Sequence, residues 1–136
     1  MSHDPNCFGC SASNPLGLKV KFRIKDDCVF GEFNSNHNHI GPPGIIHGGV
    51  IATLIDEAMA YAVVHLSKQN PRTVKEEIVF RNPAKAGDRI YVQARLKEEK
   101  SRAVMVVAKV YSDTATIAEG TGMLFKVNEA QTYETK

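Results

Sequence analysis

The run GGVIATLIDEAMAYAVVHL, from Gly48 to Leu66, decides how this chain folds. It is built from good helix formers and is apolar on nearly every side, so it reads as one long helix. A helix without a polar half belongs in a protein interior or at a subunit interface. At ~1.5 Å per residue it spans nearly 30 Å, enough to cross a small domain. Lys68, Gln69, Asn70 and Pro71 end it. Asp56 and Glu57 interrupt the apolar run and no charged flanks bracket it, so a membrane span is not expected.

On either side of the helix the pattern is that of strands. Leu18, Val20, Phe22 and Ile24 alternate with Lys19, Lys21, Arg23 and Lys25, which predicts a half-buried strand, with a turn at Asp26 and Asp27. Cys28 to Phe33 returns as a second strand, with Val29, Gly31 and Phe33 on one face. Beyond the helix, Thr73 to Asn82, Asp88 to Glu98, Ser101 to Tyr111 and Ala115 to Val127 are rich in Val, Ile, Phe and Tyr. Their short connections predict antiparallel neighbours, and AVMVVAKVY, apolar on both faces, predicts a central strand. The expected fold is α+β: one antiparallel sheet curled around one long helix.

The length of 136 residues allows a single domain, 1–136, with an irregular arm over 1–15 and a polar tail over 128–136. The composition, 43% hydrophobic and 24% charged, is that of a globular protein. A net charge of +2, with basic and acidic residues interspersed, excludes a dedicated nucleic-acid binder. The N-terminus lacks a signal-peptide pattern and three cysteines cannot all pair, so a reduced, cytoplasmic protein is expected. One small domain has little interior volume, and a large substrate must lie in a groove or between subunits.

Two features carry candidate chemistry. Asp56 sits mid-helix among apolar residues, where an ionised carboxylate costs several kcal/mol (roughly) unless it is paired, hydrated or used. It either lies on a narrow solvent stripe, pairs with a Lys from a strand, or does chemistry. Gly48 and Gly49 open the helix, where backbone N–H groups lack intrahelical partners and a missing Cβ lets a carbonyl oxygen approach. The same glycines also suit an unusual turn after NSNHNHIGPPGIIH, residues 34–47, a connection longer than structureless loops normally are. Eight residues separate Gly48 from Asp56, which places them about 12 Å apart along the axis and ~80° around it. They cannot reach one carbonyl carbon within one chain. If both act, a two-fold dimer with antiparallel helices supplies Gly48 from one subunit and Asp56 from the other.

The segment GPPGIIHGGVIATLIDEA, with TVKEEIVFRNPAKAGD downstream, closely resembles the hotdog-fold acyl-CoA thioesterases of the phenylacetate-degradation and thioesterase-superfamily-member branch. The resemblance covers nearly the whole chain. Its diagnostic part is His47-Gly48-Gly49 with Asp56 nine positions after the His. It implies hydrolysis of an acyl-CoA to a free acid and CoA, by a homodimer or dimer of dimers, with no cofactor other than the CoA carried by the substrate. Within it, the amide of Gly48, with Gly49 beside it, polarises the thioester carbonyl. Asp56 acts as general base or nucleophile, Thr73 orients water or carboxylate, and His47 supports the loop and is a candidate to touch the substrate carbonyl. Many relatives carry Asn or Gln where this chain has Gly41, so His37, Asn38 and His39 become candidate polar groups.

CoA phosphates call for positive charge, and Arg81 and Arg102 are the preferred pair among Arg81, Lys85, Lys97, Lys100 and Arg102, each of which also suits an ordinary solvated face. Met59, Ala60 and Val63 are expected to shape the acyl pocket. Gly120 and Gly122 mark a close approach of backbone or ligand, or a bulge. Cys7 and Cys10 form a lone Cys-x-x-Cys; even with His3 a metal lacks its usual four ligands, and none is expected. His65 suits the helix end. A hotdog-fold hydratase and a non-catalytic acyl-CoA-binding module are the two rival readings.

Overall fold

A computed structural model describes residues 4–128. His3 and residues 129–136, most of the expected tail, lie outside the described residues. Six strands, β1 (Lys21–Lys25), β2 (Cys28–Asn34), β3 (Asn70–Phe80), β4 (Arg89–Glu99), β5 (Ala103–Tyr111) and β6 (Thr116–Val127), form one antiparallel sheet in the order β1-β2-β4-β5-β6-β3. Helix α1 (Gly48–Ala62) continues into a wider π turn over Val63–Ser67, and Lys68 closes it with φ 58°. This is the hotdog architecture, a sheet wrapped around one helix.

The helix buries Ile51, Leu54, Ile55, Ala58, Met59 and Ala62, the i, i+3, i+4, i+7 stripe of a core-facing helix. Against them stand Val92, Val104, Val106, Val110 and Leu124 from the strands. The segment Gly48–Ser67 is long and apolar enough to cross a membrane by composition, yet α1 packs on β2 through β6. Its apolarity is that of a core helix. Ala52, Thr53, Asp56, Glu57, Ala60 and Tyr61 are only half-buried.

Gly120 and Gly122 of β6 explain how closely the helix lies. A Cβ on Gly122 would stand 2.5 Å from Met59 Sδ and one on Gly120 would stand 3.0 Å from Ile55 Cγ2. The close approach is therefore that of helix to sheet. Met59 is fully buried in this contact and Val63 is fully buried further along the helix, so within one chain both belong to the core.

One expectation about the strands also changes. The short connection from β3 to β4 does not join neighbours: β3 pairs with β6, and β4 lies between β2 and β5. Residues 83–87 are pinned elsewhere, with buried Ala84 accepting from Ile46 N at 2.8 Å and Lys85 bridging Ile45, so the chain is led across the mouth of the sheet. The 34–47 connection, which shows no clear period in the sequence, is ordered. It holds a short 3-10 turn, His37–His39, capped by Asn36, and a reversal in which Ile40 bridges Ile46 around Gly44, whose φ of 74° suits glycine.

Candidate functional site

The GPPG reversal delivers His47 to the N-cap of α1, where its Nδ1 accepts from Gly49 N at 2.8 Å. An imidazole thus satisfies one of the orphan donors of the first turn. Gly49 N–H is thus engaged by the cap in this structure, while Gly49 itself stays beside Gly48 at the helix start. Among the described residues no acceptor is recorded for Gly48 N–H. Phe80 lies over the same position, its ring 3.7 Å from where a Gly48 Cβ would be. Together with Pro42, Ile45, Ile51 and Arg81 these residues line an open groove of about 310 Å³.

Further along α1, Asp56 Oδ1 accepts from Thr73 Oγ1 at 2.7 Å. β3 runs alongside the helix, and a bulge at Val74 interrupts its register with β6 between Thr73 and Lys75. Strict alternation puts Thr73 and Glu76 on opposite faces. The extra residue moves both onto the helix side, opposite Leu124 and Gly122. Glu76 then hydrogen-bonds Asp56; burial, followed by the Asp56 bond and charge, pushes its carboxyl up to about 8. Its Oε1 is buried without a partner among the described residues. At neutral pH Glu76 therefore keeps its proton. Glu76 is the site residue that sequence reasoning missed, because the bulge that aims it leaves no pattern in the sequence.

The remaining candidates are dispersed. His39 Nδ1 accepts from Asn36 N at 3.0 Å and its ring packs on Phe33; His37 and Asn38 belong to the same exposed turn. Arg81 is paired with Glu119 at 3.1 Å, both half-exposed. Arg102 is not its partner within one chain. It adjoins Ala103, which stands opposite Phe125 and so level with Arg72, roughly 30 Å along the strands from Arg81 at ~3.3 Å per residue. His65 lies in the last helical turn, its ring 4.1 Å from that of Tyr61.

One chain thus holds a helix-start amide beside a groove and, about 12 Å along the same helix, a carboxylate oriented by a hydroxyl. Residues 43–118 match the thioesterase superfamily. The chain belongs to this family. It is 33% identical to a protein of Saccharolobus solfataricus named as an esterase, over 74% of this chain and 67% of that one. It is 28% identical to the acyl-coenzyme A thioesterase THEM4 of Xenopus laevis over 64% of this chain, which spans only 40% of that protein. Among solved structures, the E. coli PaaI protein from the phenylacetic acid degradation operon superposes with a TM-score of 0.75 at 18% identity, covering 82% of this chain and 81% of that one. That likeness carries the fold. The thioesterase assignment rests on the family match and on the relatives.

Proposed function

We propose that this member of the thioesterase superfamily hydrolyses an acyl-CoA, and that each active site takes Gly48 from one subunit and Asp56 from another. The observation that carries the reading is the Thr73–Asp56 hydrogen bond: a half-buried mid-helix carboxylate is held at one angle and has no cationic partner among the described residues. In the proposed reaction the thioester oxygen accepts from Gly48 N–H. Asp56 takes a proton from water as the water oxygen bonds to the carbonyl carbon. The tetrahedral oxyanion collapses, the C–S bond breaks, and the proton on Asp56 passes to the leaving CoA thiolate. Oxyanion donors of this kind contribute about 10²–10³ in rate, and a positioned base about 10²–10⁴.

Two further observations favour a shared site. Gly48 and Asp56 lie too far apart on one rigid helix to meet at one carbon. The adjacent β3 is an edge strand carrying Val74, Val79 and Phe80 at 45%, 48% and 55% exposure, apolar surface that a second copy would cover. The acyl group then lies between subunits, and Arg81, which lines the Gly48 groove, is the cation we assign to a CoA phosphate, in exchange for Glu119.

Thiol release from short, long and aromatic acyl-CoAs tests the activity. Free thiol is expected, with loss of turnover in Asp56→Asn; a hydroxyacyl-CoA product would point to the hydratase reading, and binding without thiol release to a non-catalytic module. Mixing Asp56→Ala with Gly48→Val subunits should restore part of the activity. No recovery in demonstrably mixed dimers would refute the shared site while leaving the hydrolase reading intact.

A further inference from the structure

The N-terminal arm folds back on α1 one residue beyond Asp56. Cys7 and Cys10 lie on a tight knuckle closed by Cys7 N donating to Asp4 O at 3.0 Å and Ser11 N donating to Cys7 O at 3.2 Å. The knuckle is pinned to the chain leading into β1, because Leu18 N donates to Phe8 O at 2.8 Å and Val20 N to Gly9 O at 2.9 Å. The two sulfurs stand 3.1 Å apart, and Cys10 N points at Cys7 Sγ across 3.4 Å. An amide directed at a sulfur in this way is the outer hydrogen bond that steadies a thiolate ligand.

Sequence analysis offers two thiols, with His3 outside the described residues as a third candidate, and expects no metal. The fold adds a third donor. Glu57 presents Oε1 at 3.5 Å from Cys7 Sγ, and one ligand atom from each of Cys7, Cys10 and Glu57 lies within 4.8 Å of the others. Gly9 makes this approach possible: a Cβ there would stand 2.6 Å from the Glu57 carboxylate. Two thiols and a carboxylate, from segments far apart in sequence, converge on a point where any side chain at residue 9 would intrude.

We infer that Cys7, Cys10 and Glu57 bind a zinc-class divalent cation that clamps the N-terminal arm to α1. Two sulfur donors exclude the hard cations calcium and magnesium, whereas a mixed sulfur and carboxylate set suits zinc. Zinc takes four donors in a tetrahedron, and water fills the position beside the three protein ligands. Binding releases the thiol protons. A redox dithiol is the competing reading of Cys-x-x-Cys, but it gives Glu57 no part in the chemistry. The clamp is independent of the proposed thioesterase activity, although it fixes the residue next to Asp56.

The test uses the full chain, reduced and stripped of metal with a chelator, then titrated with Zn(II) and, separately, with Co(II). One zinc per chain is expected, with thiolate-to-cobalt charge-transfer absorption and a rise in Tm on adding zinc. Cys7→Ser and Cys10→Ser should each lose the absorption, Glu57→Gln should weaken binding by about tenfold or more while keeping it, and Cys28→Ser should bind as wild type. Absence of the charge-transfer band in reduced, folded wild-type protein, confirmed by circular dichroism, would overturn the inference. So would undiminished affinity in Glu57→Gln.

Discussion

Thr73 Oγ1 and Asp56 Oδ1 are 2.7 Å apart, joining the edge strand β3 to the middle of α1. A hydroxyl donor at this distance holds the orientation of the Asp56 carboxylate on the helix. In the proposed reaction, Thr73→Ala should lower kcat roughly tenfold to hundredfold, the worth of one hydrogen bond to a charged group, with KM little changed. Thr73→Ser should recover most of the loss. Steady-state kinetics on the three proteins decides it; a Thr73→Ala enzyme with wild-type kcat would remove Thr73 from the site.

Glu76 gives the site a signature in pH. Its folded pKa, about 8, stands above the ordinary carboxyl value of 4.5. Between those values the native state holds a proton that the unfolded state has lost. Its contribution to stability is therefore complete below pH 4.5 and is lost as pH rises through about 8. Because Glu76 remains partly solvated, the expected loss is on the order of 1–2 kcal/mol, or several degrees in Tm, between pH 5 and 9. Glu76→Gln should flatten this dependence and should remove any decline in kcat that begins near pH 8. Melting curves and pH–rate profiles of both proteins provide the check, and identical profiles would disprove the coupling.

The contact between Gly122 and Met59 predicts a coupled pair. Gly122→Ala places a methyl against Met59 Sδ and should cost about 1–3 kcal/mol by overpacking. Met59→Ala alone should cost about 2–5 kcal/mol through the cavity it leaves. Combined, the two should cost less than their sum, because the new methyl enters the vacated space. Urea denaturation of the four proteins measures this, and strict additivity would count against the contact.

His47 caps α1 through its imidazole. His47→Ala should destabilise the protein by about 1 kcal/mol, as loss of an N-cap does, and His47→Asn should restore much of it. Equal stability of the alanine and wild-type proteins in thermal unfolding would argue against the cap.

Much of the fold was legible because the chain changes period where it changes element. The helix, its start at Gly48, the strand faces of β2 and β4 and the inner position of β5 all follow from where apolar residues recur. The position of β3 did not, since a five-residue connection looks the same whether it turns a hairpin or is drawn across the sheet by Ala84 and Lys85. The site divides in the same way. Asp56 declared itself as a charge in an apolar run, and Thr73 through family resemblance. Glu76 looks like an ordinary surface acid and Glu57 shows only as Asp56's neighbour in the apolar run, and only the bulge at Val74 and the fold-back of the arm show what each one faces.

Among the described residues β3 pairs only with β6, which has a consequence for how the chain is made. Phe80 is matched to Ala118 and Asn70 to Val127, so the strand bearing Thr73 and Glu76 has no sheet neighbour until the end of β6 has left the ribosome. Contacts this distant in sequence close late. Through most of synthesis Asp56 is present with its companions unplaced, and in the proposed reaction competence arrives only with β6. A nascent chain stalled before Thr116 should hold a helix and a partial sheet but release no thiol.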